Sequence, residues 1–279
     1  MIENSIKMLN ERMESSLLCC GLDPDLTKMP FTPDLNKMSN ERKIVSFLQQ
    51  VVDTTAPNVC AYKIQKAFFD KFALGHDALK DTISYIHSNH KGIPAIIDCK
   101  IGDIENTMQA YLDNLFNELQ ADGIVVNPYM GDDVMIPMSE YPDKAIVVLA
   151  KTSNLGGSVV QNVITDKGIP MWQHVLNLTI ERWNKVGNMI PVVSSTANID
   201  LNIVRKIIPD DMPILFAGVG AQGGSYKDIG KLLNSKRSGV FVNSSRGIIY
   251  AQPTGDQDWR DAIAEASKVL KNSLNKERK

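Results

Sequence analysis

The chain has 279 residues, 43% of them hydrophobic and 22% charged, with a formal net charge of −2. This is the composition of a globular protein with a sizeable core, and the charge gives no support to a nucleic-acid or acidic-membrane partner. No apolar run approaches the roughly 18 residues of a membrane helix, and the N-terminal MIENSIKMLNERMESS lacks the apolar stretch of a secretory signal, so a cytoplasmic protein is expected.

Short apolar runs recur in order at 17–22, 59–64, 95–100, 123–127, 145–150, 190–194, 214–219 and 239–243. They are continuous rather than alternating, as strands buried on both faces are. Amphipathic stretches lie between them. In 40–55, Ile44, Phe47, Leu48, Val51 and Val52 recur at spacings of three and four. Similar patterns cover 104–119, 171–186, 199–208, 226–233 and 258–274. His87 and His90 fall near the end of a further helix and are expected to face solvent. Strands and helices in alternation predict the α/β class, as one (β/α)8 TIM barrel spanning residues 1–279, rather than an open doubly wound sheet. No repeat or linker interrupts it. The long stretches 23–38 and 153–169 are expected to be loops, and long loops on a compact barrel are often lids or binding loops. Cys19, Cys20, Cys60 and Cys99 lie in apolar segments without CxxC spacing and read as buried free thiols.

A barrel places its chemistry at the C-terminal ends of its strands, and polar residues collect there. The first run ends in Gly21-Leu22-Asp23-Pro24, the second contains Lys63, and the third ends in Asp98-Cys99-Lys100. The fifth leads into Lys151-Thr152-Ser153-Asn154. Residues 98 and 100 are two apart, so on a regular strand they share a side. Asp103 lies just beyond; read alone, it fits a helix N-cap better than a catalytic group. Charges are seldom buried without cause, so Asp98 and Lys100 at a barrel mouth read as a site. Carboxylates on either side of Lys100 favour its protonated form. That suits a proton donor to a developing carbanion more than a Schiff-base nucleophile.

The seventh run opens into Gly218-Val219-Gly220-Ala221-Gln222-Gly223-Gly224 and the eighth into Asn243-Ser244-Ser245-Arg246-Gly247. Glycine turns before a helix hold anions through backbone N–H groups, and an arginine can take a phosphate in bidentate fashion. Together they predict a phosphate end at strands seven and eight. His76, His87, His90 and His174 show no zinc spacing, and neither GxSxG nor a P-loop lysine occurs. Asp132-Asp133 reads as a helix start rather than a metal site.

In these residues the chain resembles the orotidine 5′-phosphate decarboxylases. That family's run of aspartate, lysine, aspartate, isoleucine and threonine reads here as Asp98, Lys100, Asp103, Ile104 and Thr107. The strand-end motifs match in order, from about residue 17 to about 250, in the manner of the longer form of the family. The resemblance implies loss of CO2 from orotidine 5′-phosphate to give UMP, the last step of UMP biosynthesis, with no metal or other cofactor. It implies Lys100 as proton donor to C6, Asp98 beside the departing carboxylate, and Lys63 bridging Asp98 and the ribose. It assigns Asp23 to a ribose hydroxyl, Ser153 to the pyrimidine edge, and Gln222 and Arg246 to the phosphate. Asp103 and Thr107 would enter the neighbouring subunit's site, making a homodimer with shared sites. Two positions depart from the common pattern: Gly102 stands where alanine is frequent, and Leu155 where proline is. One rival is a magnesium-dependent sugar-phosphate barrel, which would carry an acidic ligand where Lys63 stands. A second is a barrel that binds nucleotide without catalysis, which would be expected to have lost part of the charged set.

Overall fold

In a computed structural model, described over residues 4–30, 37–195, 199–219 and 225–279, each of the eight apolar runs is a strand. They are β1 (Leu18–Leu22), β2 (Ala61–Gln65), β3 (Ala95–Ile101), β4 (Gly123–Val126), β5 (Ala145–Leu149), β6 (Met189–Ser194), β7 (Ile214–Ala217) and β8 (Val240–Ser244). All neighbours pair in parallel, and β1 closes on β8, so the sheet is a complete barrel in sequence order. The open-sheet alternative is thereby excluded.

Helices wrap the barrel, in order: α1 (Ser5–Met13), α2 (Asn40–Thr55), the short α3 (Ala67–Asp70), α4 (Gly75–Asn89), α5 (Glu105–Leu112), α6 (Asp132–Met135), α7 (Ser158–Gln161), α8 (Met171–Leu178), α9 (Leu201–Ile207), α10 (Arg246–Ile249) and α11 (Trp259–Lys276). The expected 40–55 helix matches α2 at both ends. Ser39 starts it, its side chain accepting from the Arg42 N–H. The face bearing Ile44, Phe47, Leu48, Val51 and Val52 is buried, and each large side chain so buried contributes about 1.5–3 kcal/mol. The expected 104–119 and 171–186 helices widen into π turns at Asp113–Glu118 and Thr179–Trp183. The expected 226–233 helix is only a 3-10 turn, Ile229–Lys231. Asp132 and Asp133 do open a helix, α6.

The histidines depart from expectation. His87 meets Asp122 at 2.8 Å and His90 meets Asp53 at 2.7 Å; neither simply faces solvent, because carboxylates from neighbouring segments reach both. The four cysteines are free, three buried and Cys99 partly so.

Register places the charged residues. Tyr62 points outward, its hydroxyl donating to Val52 O on α2, so Lys63 points into the barrel. Gln65 pairs with Asp98, and Gln65 shares the face of Lys63, so Asp98 points inward too. β3 is irregular at this level: Ile97 pairs with Ile124 and Ile101 with Val126, so four residue steps on β3 oppose two on β4. Such a bulge breaks the ladder and re-aims side chains near a site.

Candidate active site

The bulge carries Asp98, Cys99 and Lys100. Asp98 accepts from Lys63 Nζ on Oδ2 at 2.8 Å and from Lys100 Nζ on Oδ1 at 2.5 Å. One carboxylate therefore sits between two ammonium groups. The lysines differ in exposure: the Lys63 side chain is 10% exposed and that of Lys100 46%. Lys63 holds Asp98 from inside the barrel, while Lys100 faces the mouth.

Burial by itself would raise the Asp98 carboxyl, but the charges of Lys63 and Lys100 outweigh it and hold the group below the usual carboxylate range. Burial likewise pulls Lys63 down. The charge of Asp98, then that of Asp23, then the hydrogen bond to Asp98 overcome it, and Lys63 lies above its ordinary value. Both groups are therefore ionised at neutral pH.

Lys100 and Glu105 have positive φ, +46° and +48°. Non-glycine residues take that region at a cost of about 1–2 kcal/mol each, and such conformations cluster at functional sites. The period of two expected for Asp98 and Lys100 does not apply across the bulge; they meet because the long Lys100 side chain turns back onto Asp98. The two left-handed residues bracket the segment that holds Asp103. The N-cap reading of Asp103 is not met: the capping residue of α5 is Ile104, which makes no side-chain cap bond. Asp103 Oδ1 instead accepts from the Ile104 N–H at 2.9 Å. Thr107 is exposed on α5 and borders a cavity of ≈590 Å³ that Asp98 and Cys99 also line.

Asp23 follows β1. Its backbone O accepts from the Tyr250 hydroxyl at 3.1 Å, and its own Oδ1 is buried without a hydrogen-bond partner. Arg246 opens α10 beyond β8 with an exposed side chain. Gln222, and with it residues 220–224 of the glycine turn, lie outside the described residues. Ser153 stands on a loop fixed from two sides. Gln161 accepts from the Thr152 N–H and donates to Thr152 Oγ1, at 3.1 and 2.7 Å. Lys151 Nζ donates to Asn162 Oδ1 at 2.8 Å. Lys151 is buried and burial lowers its pKa. Sequence reasoning passed over it as an anchor, although a lysine closing an apolar run was the available signal. Among the described residues no cluster of three His, Cys, Asp or Glu side chains is arranged to hold a metal, and no helix is long and apolar enough to cross a membrane.

Residues 16–260 match the model of the Orotidine 5'-phosphate decarboxylase / HUMPS family. An orotidine 5'-phosphate decarboxylase of Cupriavidus necator is 41% identical over 264 residues, 94% of each chain. The chain belongs to the orotidine 5′-phosphate decarboxylase family. Solved structures agree. An OMP decarboxylase of Leishmania donovani superposes with a TM-score of 0.83 at 32% identity, covering 99% of both chains. A UMP synthase of the same organism gives 0.85 at 33% identity over 99% of this chain, which spans 57% of that one. The family is one of carboxy-lyases in UMP formation, so the expectation of an enzyme of this class stands. The family model spans two groups, and the similarity to named decarboxylases at about 40% identity selects the first.

Proposed function

We propose that the chain converts orotidine 5′-phosphate to UMP and CO2 with no metal or organic cofactor, Lys100 donating the proton. The observation that carries this is the Lys63–Asp98–Lys100 chain, with two buried charges held in place and one ammonium facing the mouth. The bond from C6 to the carboxylate breaks and leaves its electron pair on C6. That pair takes a proton from Lys100 Nζ, and the neutral amine regains one from solvent. The carbanion has no π system to receive its electrons, so the stabilisation must come from preorganised charge. Lys100 supplies it, and Asp98 keeps the ammonium in position. Lys63 argues against the magnesium-dependent rival, because its cation stands where an acidic ligand would be needed.

Asp23 accepts from ribose hydroxyls, Ser153 reads the pyrimidine edge, and Arg246 with Gln222 holds the phosphate. Asp103 and Thr107 serve the site of a second copy. Ile104 and Tyr111, near them in sequence, and Tyr129 and Met130, after β4, are exposed apolar side chains, Tyr129 86% so, of the kind an association surface covers.

A spectrophotometric assay with orotidine 5′-phosphate tests the reaction. Turnover should be indifferent to EDTA; full dependence on added magnesium would refute the cofactor-free reading, and UMP binding without CO2 release would favour the non-catalytic barrel. Mixing tests the shared site. Lys100→Ala and Asp103→Ala are each expected to be inactive. Co-refolded in equal amounts, they should regain about a quarter of wild-type activity, since half the dimers carry one intact site. No recovery, with dimers shown by sedimentation, would place Asp103 in its own chain's site.

A further inference from the structure

Between β8 and β1 the mouth holds a buried hydroxyl that the assignments above do not use. Ser245 Oγ is buried and makes no hydrogen bond within the described residues, as is true of Asp23 Oδ1 on the adjoining strand end. An unpaired buried polar group is costly, and native structures keep few of them. The surroundings show that the position is built rather than accidental. Gly21 pairs with Lys63 and shares its inward face. A Cβ on Gly21 would stand 2.7 Å from Ser245 Cβ and 3.2 Å from Ser245 Oγ. β1 thus has no side chain at the one place where Ser245 lies across it. Asn243, two residues earlier, turns to the same side and meets Cys19 Sγ through its Oδ1 at 3.8 Å.

The chemistry of the neighbours orders this side of the mouth. Arg246, the next residue, has only donors and suits an anion. Asp23 as a carboxylate has only acceptors; it suits a sugar hydroxyl and repels a phosphate. Ser245 precedes Arg246 in the chain, faces Gly21 two residues before Asp23, and can donate. We propose that Ser245 Oγ donates a hydrogen bond to the 5′-phosphate of the substrate, and that residue 21 is glycine so that this hydroxyl has room to do so. The inference rests on the substrate reading above and adds a phosphate-binding side chain to it. In the bound state the serine gains the partner that the chain does not supply, and the bond is charge-assisted.

Calorimetric titration of UMP and of uridine into wild type and Ser245→Ala tests it without requiring turnover. The substitution keeps the Cβ packed over Gly21, so the fold should be retained, which circular dichroism checks. The Kd for UMP should rise about tenfold in Ser245→Ala, as loss of one bond to a charged group implies, and that for uridine should change less than about twofold. Equal weakening of both ligands would overturn the proposal, because the hydroxyl would then serve the ribose or the fold. An unchanged Kd for UMP would overturn it as well. Wild type that binds no UMP would sink the substrate reading itself, and this inference with it.

Discussion

On the β2–β3 side of the mouth Lys63, Asp98 and Lys100 satisfy one another, at 2.8 and 2.5 Å. On the β8–β1 side Asp23 and Ser245 each keep a buried oxygen without a partner, and Arg246 reaches into solvent. The first side has its field in place before any substrate arrives, which is what stabilising a transient charge requires. The second gains its partners only from a ligand, which is what binding a remote group requires. Reaction and affinity are thus assigned to two adjoining regions of one barrel mouth, and substitutions should separate them.

The largest effect is expected from Lys100→Ala. Turnover should fall by about a thousandfold or more, from loss of both proton donor and positive charge, while the Kd for UMP stays within about threefold. A variant that retains a tenth of wild-type turnover would remove Lys100 from the donor role. Next comes Lys63→Met, which leaves a buried carboxylate with one cation in place of two. It should cost about 3 kcal/mol of stability in urea unfolding, the lower end for breaking a buried pair because Lys100 remains. Its pH dependence has a definite sign. Asp98 is depressed, so its contribution is present above the ordinary carboxylate pKa and is lost as pH falls through the lowered value. Lys63 is raised, so its contribution is present below the ordinary lysine pKa and is lost as pH rises through the raised value. The difference between wild type and Lys63→Met should accordingly be flat from about pH 5 to about pH 9 and shrink in acid. A difference that grows on acidification would mean the pair is not what holds Lys63.

The barrel was legible because strands buried on both faces leave continuous apolar runs, and all eight were visible. The ends of helices were less so. Asp113–Glu118 and Thr179–Trp183 carry the same apolar period as the helices before them, and periodicity cannot register a change from α to π geometry. For 226–233 the pattern was too short to distinguish a helix from the turn that forms. At the site, residue types sufficed to single out Lys63, Asp98 and Lys100, but the reason given for two of them was incomplete. The alternation of a regular strand brought Asp98 and Lys100 to one side, whereas a bulge and a left-handed Lys100 do so in the structure. A bulge depends on the partner strand's register, which no local pattern contains. Lys151 and Ser245 were passed over for a related reason. A buried lysine bound to an amide and a hydroxyl lying over a glycine are defined by what surrounds them, not by spacing.

The smallest effect tests how the reacting side is held. Gly102 has no positive φ to explain it; the reason lies in the neighbouring loop. A Cβ at residue 102 would come within 2.3 Å of Asn127 O, a backbone atom after β4 that cannot swing away. The Asn127 N–H donates to Ile101 O at 2.6 Å, so the segments leaving β3 and β4 are pinned together at this point. An alanine here should therefore force the segment between Lys100 and Asp103 outward. Gly102→Ala should cost about 1–3 kcal/mol by overpacking and lower Tm by a few degrees. Because the displaced segment belongs to the β2–β3 side, kcat should fall while the Kd for UMP hardly moves. A loss of UMP affinity as large as the loss in kcat would show that the two sides of the mouth are mechanically joined, and the division between reaction and binding would then have to be given up.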